Sequence, residues 1–496
     1  MIEFSLGDLN TISPSLMAFA FGLLILLDGV LFKDRTSTWQ TGWTAIGLAV
    51  SMAFNAAVGQ HVDSSSLSFS GMVAVDGYGV LINYVILLGA LGALFIGHDY
   101  LKRVDVQVPE YGPLLLFAVS GMTLLSVAND LILLFVALEL MSVSLYVLCA
   151  INRGHLAGVE GAAKYLILGA FAAAILLYGI AFVYGAVGTT RLDYIGQWLS
   201  DGRGLFDNPL LAVGFALMVV GFGFKIAAAP FHMWSPDVYQ GAPTPITAFM
   251  ATAAKAASFA AFGRVLVVAF LHGKADWTAV VWGLSALTIL WGNLGALIQT
   301  DLKRILAYSS VGHAGYLLMA FVGLSAEGVM ASPRVGGLLF YLLSYTVMTI
   351  GAFSVLSLLT RNGEDDAHVD RLAGLAAEHP WIAAGLSLCL VSLAGIPPTI
   401  GFVGKFYLFA AAVEGGYPGL AVIGAIGGAV GVYYYLRPII AMYMRPATSS
   451  VTTSNTPAMG ALMVACVLVL VLGVYPGPLV DWCRAALQSI SGVAGI

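Results

Sequence analysis

The stretch GFKIAAAPFHMWSPDVYQGAPTPITAF, residues 223–249, decides the fold of this chain. It places four prolines and Lys225 inside a long apolar region. Proline removes a backbone donor and clashes with the preceding helical turn, so a helix must open there. Opened backbone at membrane depth is tolerated only where protein or water satisfies it. The stretch therefore predicts a transmembrane helix that is interrupted beside a buried lysine.

A second interrupted stretch, SLAGIPPTIGFVGKFYLF, covers residues 392–409 and contains Lys405. The two stretches fall in the seventh and the twelfth of fourteen predicted apolar spans. Asn-Asp-Leu at 129–131 opens span 5, and Thr-Asp-Leu at 300–302 opens span 10. The two units are offset by five helices, which is an odd number of membrane crossings. The second unit is therefore expected to be inverted in the membrane relative to the first, as in many transporters with broken helices. The pattern predicts two inverted five-helix repeats.

Composition indicates a membrane environment along the whole chain. Of its 496 residues, 59% are hydrophobic and 9% are charged, whereas roughly a quarter of a soluble domain is charged. A membrane span needs roughly 20 mainly apolar residues. The predicted spans cover residues 14–32, 40–58, 76–97, 111–128, 130–149, 160–187, 208–229, 244–271, 277–298, 303–323, 335–359, 381–413, 418–443 and 458–479. We expect an all-α polytopic membrane protein of about 14 transmembrane helices, with helices 7 and 12 discontinuous.

The spans divide the chain into four parts. Residues 1–110 contain helices 1–3, residues 111–275 the first repeat of helices 4–8, residues 276–445 the second repeat of helices 9–13, and residues 446–496 helix 14. The odd-numbered connections between spans contain ten basic residues: Lys33, Arg35, Lys102, Arg103, Arg153, Lys303, Arg304, Arg361, Arg371 and Arg445. The even-numbered connections and the C-terminal end contain five: Arg191, Arg203, Lys274, Arg334 and Arg484. Because basic residues favour cytoplasmic loops, this bias predicts that both termini lie outside.

Several function classes are disfavoured. The net charge is −5 without a Lys/Arg-rich block, so nucleic acid is not an expected partner. The four cysteines are scattered, which argues against zinc, iron–sulfur clusters and a disulfide framework. No P-loop and no GxGxxG after a strand occurs. The N-terminus has no basic residue before Lys33, so the first span is expected to be retained rather than cleaved as a signal.

Ionisable residues fall within the predicted spans, where lipid makes charge expensive. Those of interest for function are Glu139 in span 5, Lys164 in span 6, Lys225 beside the break in span 7, Lys255 and Arg264 in span 8, His313 in span 10 and Lys405 beside the break in span 12. A charge at the bilayer centre costs about 3 kcal/mol or more unless it is paired or hydrated. Depth favours a functional role for Lys225, Lys255 and Lys405. For Lys164, Arg264 and His313, a static contact or a snorkelling side chain explains the residue equally well.

Buried lysines suit proton transfer when a carboxylate lies nearby. The unperturbed pKa of lysine is about 10.4, while burial disfavours the ammonium form and a carboxylate favours it. Lys225 beside Glu139 would form such a pair. The hydroxyls of Ser344, Tyr345 and Thr349 in span 11 could extend the path, or could serve only in helix packing.

Three motifs resemble one known family. The run GFKIAAAPFHMWSPDVYQGAPTPITAFMATAAKAA at 223–257 resembles the signature of the antiporter-like proton-pumping subunits of respiratory complex I, which multi-subunit cation/proton antiporters and membrane-bound hydrogenases share. LFVALELMSVSLYVL at 134–148 is similar to the glutamate motif of helix 5, and DLKRILAYSSVGHAGYLL at 301–318 to that of helix 10. Lys-Phe-Tyr at 405–407 is most similar to the subunit N branch of the family.

The resemblance implies a function, site residues and partners. It implies a non-redox, proton-translocating subunit of NADH:quinone oxidoreductase, with half-channels joined by a central polar axis. It implies a path of Glu139 and Lys225 as a coupled pair, Lys255 as the connecting lysine, and Lys303, His313 and Lys405 in the second half, to which Lys164 is added. NADH, FMN, iron–sulfur clusters and quinone would belong to other subunits, with no cofactor in this chain. The implied partners are the lipid bilayer and membrane-arm subunits that include subunit M and the small subunits K and J.

The implied location is a bacterial inner membrane, with both termini on the periplasmic side. Two other functions stay open from the residues. One is a subunit of an Mrp-type sodium/proton antiporter, although sodium favours oxygen ligands and the buried residues are mostly lysines. The other is a structural membrane scaffold whose buried charges form static pairs.

Overall fold

Helices build almost the whole of the described chain. The computed structural model describes residues 6–32, 37–60, 62, 66–104, 106, 108–324, 336–359, 367–447 and 457–494. Within these ranges eleven helices are long and apolar enough to cross a membrane, and three shorter apolar helices accompany them. The all-α polytopic fold class is confirmed. Lys33, Arg35, Arg334 and Arg361, which entered the comparison of loop charges, lie outside the described residues.

The N-terminal part forms the first three spans. Its helices are α1 (Leu6–Thr11), α2 (Ser13–Leu31), α3 (Ser37–Gly59) and α4 (Gly77–Arg103). Between α3 and α4, strand β1 (Ser66–Ser68) pairs antiparallel with β2 (Val73–Val75). The Asp76 carboxylate accepts a hydrogen bond from the Gly79 N–H at 2.8 Å and thereby caps α4, which satisfies one of the free donors at a helix start.

The helices of the two predicted repeats follow in chain order. The first contains α5 (Tyr111–Val127), α6 (Leu131–Cys149), α7 (Leu156–Val187), α8 (Leu192–Ser200), α9 (Pro209–Lys225), α10 (Ser235–Gly241), α11 (Thr244–Phe249) and α12 (Lys255–Arg264). The second contains α13 (Lys274–Leu297), α14 (Leu302–Val322), α15 (Gly337–Leu358), α16 (Leu375–Glu378), α17 (Pro380–Ala394), α18 (Ile400–Glu414) and α19 (Pro418–Met444). Then come α20 (Pro457–Val474) and α21 (Gly477–Ala494). Spans 7 and 12 are broken, as α9 with α10 and α17 with α18.

The two repeats hold the start of their second helix in the same way. An isolated antiparallel bridge joins Asp130, before α6, to Arg191, and another joins Asp301, before α14, to His368. Asp130 accepts from the N–H of Ile132, and Asp301 accepts from the N–H of Arg304. Each aspartate thus caps its helix. The two aspartates stand at the starts of spans 5 and 10, which are five spans apart along the chain. The two helix starts thus correspond in structure, as the two Asp-Leu motifs suggested, while the inversion of the second repeat stays a prediction.

The central helices carry the candidate residues into the interior. The span Thr244–Ala269, which runs through α11 and α12, and α15 are both entirely buried over their most apolar windows, and α14 is 94% buried over its own window. Two π-helical turns, Met250–Ala254 and Val265–Ala269, flank α12. Such turns are frequent at functional sites. Lys255 and His313 therefore lie on helices surrounded by protein rather than lipid.

Two amphipathic helices, α8 and α21, were not predicted. In α8, Leu192, Ile195 and Leu199 are buried, and α21 buries Cys483 and Ile490. The α21 helix packs on α4, where the Ser489 hydroxyl oxygen accepts a hydrogen bond from the Tyr78 N–H at 3.2 Å. A search for continuous apolar runs misses such helices because their apolar residues recur at helical spacing between polar ones.

Candidate proton path

Lys225 is the last residue of α9 and reaches across to α6. Its ammonium donates to the Ser142 hydroxyl at 2.7 Å and to the Tyr146 hydroxyl at 3.4 Å. Glu139 lies on the same helix, one turn before Ser142, and its Oε1 is buried without a hydrogen-bond partner among the described residues. The expected close pair of Glu139 and Lys225 is therefore not a direct ion pair in this structure. The lysine binds the next turn of α6, because Ser142 lies closer to the end of α9.

Aromatic rings surround the Lys225 ammonium. It lies 5.4 Å from the ring centroid of Tyr146 and 5.7 Å from those of Tyr165 and Phe224. Ring faces attract a cation at such distances. Directly after the lysine the helix ends, and Ala227 adopts a φ of 56°. The break therefore leaves the lysine at an opened helix end, where rings and hydroxyls replace the turns of a continuous helix.

A small cavity connects Lys225 with Lys255. Its volume is about 10 Å³, and its wall includes both lysines together with Tyr239 and Ser258. A cavity needs roughly 10–15 Å³ of this kind of volume, and a few polar partners, to hold one water. One water at this position would contact polar groups on both sides. The two lysines of the first repeat therefore line the same water-sized cavity.

Lys255 joins the first repeat to the second. Its ammonium donates to the carbonyl oxygen and the hydroxyl of Ser310 on α14, both at 2.5 Å. Ser310 lies one turn before His313 on that helix. The ring of Tyr345, on α15, lies 5.5 Å from the Lys255 ammonium and 4.9 Å from the His313 ring. The polar series therefore continues across the boundary between the repeats.

His313 lies between two tyrosine hydroxyls. Its Nδ1 is 2.5 Å from the Tyr341 hydroxyl on α15, and its Nε2 is 3.0 Å from the Tyr435 hydroxyl on α19. Tyr435 also shares a hydrogen bond with Ser309. A neutral imidazole has one donor and one acceptor nitrogen, so both ring nitrogens can be satisfied at once. This arrangement gives a hydrogen-bonded series across three helices.

Lys405 binds the end of the broken helix beside it. Its ammonium donates to the carbonyl oxygens of Leu393 and Ala394, both at 2.9 Å. These residues end α17, and the last carbonyls of a helix have no partner within it. Gly395 follows with a φ of 85°, and a Cβ there would come 2.7 Å from the Lys405 side chain. Glycine is therefore required both for the turn and for the approach of the lysine.

Lys303 makes the corresponding contact in the first repeat. Its ammonium donates to the carbonyl oxygen of Ala242 at 2.6 Å, directly after the end of α10. The side chain is only 1% exposed. A lysine from the second repeat thus binds the opened end of the discontinuous helix of the first. Cations are favourable at such helix ends, where carbonyl dipoles point outward.

Lys164 lies at the surface, not deep in the path. Its side chain is 44% exposed and forms ion pairs with Glu160 at 2.8 Å and Asp237 at 3.0 Å. Asp237 also pairs with Arg304 at 2.9 Å, next to Lys303 along the chain. Lys164 is therefore at an outer end of the series. Its position is compatible with proton exchange with solvent and also with a static network of ion pairs.

Arg264 forms a static pair away from the path. Its guanidinium donates to both carboxylate oxygens of Asp76, at 2.6 and 2.9 Å, and to the Ser126 carbonyl oxygen. Both charged side chains are 0% exposed. Of the alternatives left open for Arg264, the structure shows the ion pair. The partner was not foreseen, because Asp76 stands at the very start of its span.

The three hydroxyls of span 11 differ in their surroundings. Ser344 donates to the carbonyl oxygen of Phe340 in its own helix, which is a packing role. The Thr349 hydroxyl is buried and interacts with the side chain of Tyr345 one turn earlier. Tyr345 lies between Lys255 and His313, as described above. Only Tyr345 of the three contacts the candidate residues of both repeats.

Comparison with known proteins gives the family. Residues 128–431, more than half of the chain, match the model described as the NADH:quinone oxidoreductase/Mrp antiporter membrane family. An NADH-quinone oxidoreductase subunit N from Trichlorobacter lovleyi is 42% identical over 485 residues, which cover 97% of this chain and 98% of the relative. The chain belongs to this family, in its subunit N group. A subunit N from Chloroflexus aggregans is 39% identical over 98% of both chains.

Chains of solved membrane complexes show the same fold. A chain of respiratory complex I from Thermus thermophilus with bound aureothin is 35% identical, with a TM-score of 0.79 over 95% of this chain and 100% of that one. A chain of the Mrp complex from Dietzia has a TM-score of 0.83 at 21% identity, covering 99% of this chain and 100% of that one. The Dietzia likeness shows a shared fold only.

Several residues that position the path were missed in the sequence. The partners Ser142, Ser310, Tyr341 and Tyr435 contact the predicted lysines and histidine, yet none was singled out. Ser142 and Ser310 each lie three residues from Glu139 or His313, so helical spacing from a buried ionisable residue would have found them. Tyr435 offers no such signal, because its contact with His313 depends on how α19 packs against α14.

Proposed function

We propose that this chain translocates protons as a non-redox membrane subunit of an NADH:quinone oxidoreductase. One observation carries the proposal: Lys225 and Lys255 line a single water-sized cavity, and Lys255 bonds to Ser310, one turn before His313 on the helix of the second repeat. The same residues thereby connect the two repeats through protein-enclosed polar groups. NADH, FMN, iron–sulfur clusters and quinone are assigned in this proposal to partner subunits.

Proton transfer along the series follows from changes of local charge. Glu139 near Lys225 favours the ammonium form, because an opposite charge stabilises it. When Glu139 is neutralised or shielded by a partner, Lys225 becomes able to release its proton through the cavity toward Lys255. From Lys255 the proton would pass along the contact with Ser310 toward His313 and Lys405. Lys303 and Lys164 belong to the proposed end of the path at the α10 surface.

The surface near Glu139 supports a location within a larger assembly. Glu139 is half-buried on a face of α6 that also presents Val136 and Val143, which are 55% and 56% exposed. A carboxylate facing lipid at this depth is costly, so a partner subunit is expected to cover it. In the proposed complex the partners include subunits M, K and J. The membrane is then a bacterial inner membrane with both termini on the periplasmic side.

Co-purification tests the host complex. The tagged chain, extracted from its native membrane in mild detergent, is expected to bring along subunits that carry FMN and iron–sulfur clusters, measured by protein mass spectrometry and by NADH oxidation in the eluate. Recovery with antiporter subunits alone, without redox subunits, would instead identify an Mrp-type sodium/proton antiporter. An unrelated tagged membrane protein from the same cells serves as the control for nonspecific recovery.

Lys405→Glu tests the contact at the second break. An ionised carboxylate accepts hydrogen bonds but cannot donate them, so the Leu393 and Ala394 carbonyls would lose their donor and face a like charge. We expect NADH-driven pumping to fall at least severalfold, measured by dye quenching in inverted membrane vesicles. Lys405→Gln is the matched comparison, because its amide donates to the carbonyls without a charge. Full pumping by Lys405→Glu in an assembled complex would contradict the assignment.

A further inference from the structure

A polar cavity lies among the first three spans, outside both repeats. Its volume is about 260 Å³, and its wall is formed by the ends of α2, α3, α4 and α5. Polar side chains in the wall are Gln40, Thr41, Thr44, His98 and Lys102. None of the residues that line the cavity belongs to the candidate proton path. The cavity therefore calls for a separate explanation.

The position of the cavity is at the membrane surface. It lies where α4 ends, with Lys102 and Arg103 in its last turn, and where α5 begins, at Tyr111. Trp39 and Trp43, beside Gln40 on α3, are 41% and 40% exposed. Exposed tryptophans are enriched at the level of lipid headgroups. A ligand in this cavity would lie at headgroup depth.

The cavity wall presents loosely held donors. The Lys102 ammonium is 3.3 Å from both the Thr38 hydroxyl and His98 Nε2, and 3.8 Å from the Asp99 carboxylate. His98 Nδ1 is 3.3 Å from the Thr41 hydroxyl. Charge-assisted hydrogen bonds normally measure about 2.7–2.9 Å, so none of these contacts satisfies the ammonium fully. An anion in the cavity would provide the closer partner.

The start of α5 adds to the attraction for an anion. Tyr111 and Gly112, the first residues of this helix, form part of the wall. The Tyr111 N–H donates to the Val108 carbonyl oxygen at 3.4 Å and Pro113 has no N–H, so Gly112 is the one of the first three residues whose N–H is left for a ligand. The helix dipole also favours negative charge there. The helix has 17 residues, long enough for this effect. Two independent features, the ammonium and the helix start, thus favour the same kind of ligand.

The rest of the wall decides between a lipid and a free phosphate. Leu101, Val106, Val108 and Pro109 make one side apolar. Phe32 also lines the cavity and is 54% exposed, next to Leu31 at 71%. A free anion gains nothing from such surfaces, whereas the glycerol and acyl chains of a lipid bury apolar area against them. We infer that this cavity binds the phosphate headgroup of an anionic phospholipid whose chains extend along α2.

Photolabelling tests the site directly. The tagged chain, purified in detergent with the subunits that accompany it, is exposed to phosphatidylglycerol carrying a photoreactive group near the headgroup, and labelled peptides are identified by mass spectrometry. We expect labelling at the start of α3 and the end of α4. Lys102→Ala should weaken that labelling about tenfold, the effect of losing one charge-assisted hydrogen bond. Thr41→Val should weaken it less.

Matched controls keep the test decisive. Arg445→Ala also removes one exposed positive charge, in a residue that pairs with Asp370 at 2.6 Å on the surface, and it should leave labelling of α3 and α4 unchanged. Unlabelled phosphatidylglycerol should compete, whereas phosphatidylcholine and inorganic phosphate should not. Equal labelling in Lys102→Ala and the unaltered chain would overturn the inference. Competition by inorganic phosphate alone would replace the lipid by a free anion, and would overturn it as well.

Discussion

Replacing Lys225 by alanine is expected to remove most NADH-driven proton pumping through this chain while the complex still assembles. The ammonium contacts Ser142 and Tyr146 and lines the cavity shared with Lys255, so its loss interrupts the series between the repeats. Positioned proton-transfer groups typically contribute about 10²–10⁴-fold in rate. Pumping is measured by dye quenching in inverted vesicles, normalised to the assembled complex on native gels. Normal pumping by an assembled Lys225→Ala complex would refute the proposed role.

Lys225→Arg separates proton transfer from static charge. Arginine keeps the positive charge among the Tyr146, Tyr165 and Phe224 rings but does not deprotonate in proteins. We therefore expect Lys225→Arg to assemble well and to pump as poorly as the alanine variant. Recovery of pumping by arginine would show that charge alone is needed, which is the scaffold interpretation. Arg203→Ala, at a surface residue that is 46% exposed, is the control for nonspecific loss of a basic residue.

The second large effect is expected on stability. Arg264→Met leaves the Asp76 carboxylate buried without its counter-ion, and breaking one side of a buried pair costs about 3–5 kcal/mol. We expect less assembled complex and a lower Tm. Pumping per assembled complex should stay unchanged, because the pair does not contact the path.

A double variant makes this prediction sharper. Asp76→Leu with Arg264→Met removes both charges at once, and replacing a buried pair by apolar residues is often neutral or stabilising. The double variant should therefore recover much of the Tm that Arg264→Met loses, except for the part owed to the capping of α4 by Asp76. An Arg264→Met variant as stable as the unaltered chain, or a double variant with a lower Tm than Arg264→Met, would contradict the static pair.

Sequence predicted the spans and the breaks well because both depend on local composition. A run of apolar residues is required to cross lipid, and Pro230 or Pro397 opens a helix wherever it packs. The amphipathic helices α8 and α21 escaped prediction because their signal is periodic rather than continuous. Their function in the fold, as in the contact of α21 with Tyr78, depends on neighbours far away in sequence.

The site was predicted in its ionisable members but not in its partners. Depth in the membrane identifies Lys225, Lys255 and Lys405 without knowledge of packing. Lys225 contacts Ser142 rather than Glu139 because of where the end of α9 lies along the length of α6. The same holds for His313, whose two tyrosines come from α15 and α19. Such contacts depend on tertiary geometry, which composition and spacing do not encode.

The contact of Lys405 with two carbonyl oxygens has a consequence for the energy of moving a proton. A lysine ammonium has three N–H donors, and the neutral amine retains two. The carbonyls of Leu393 and Ala394 can therefore keep their hydrogen bonds in both protonation states. Release of the proton changes the charge while the backbone at the break stays in place, so the structural reorganisation that accompanies each transfer is small. Lys405 can therefore gain and lose a proton repeatedly while the break between α17 and α18 keeps its structure.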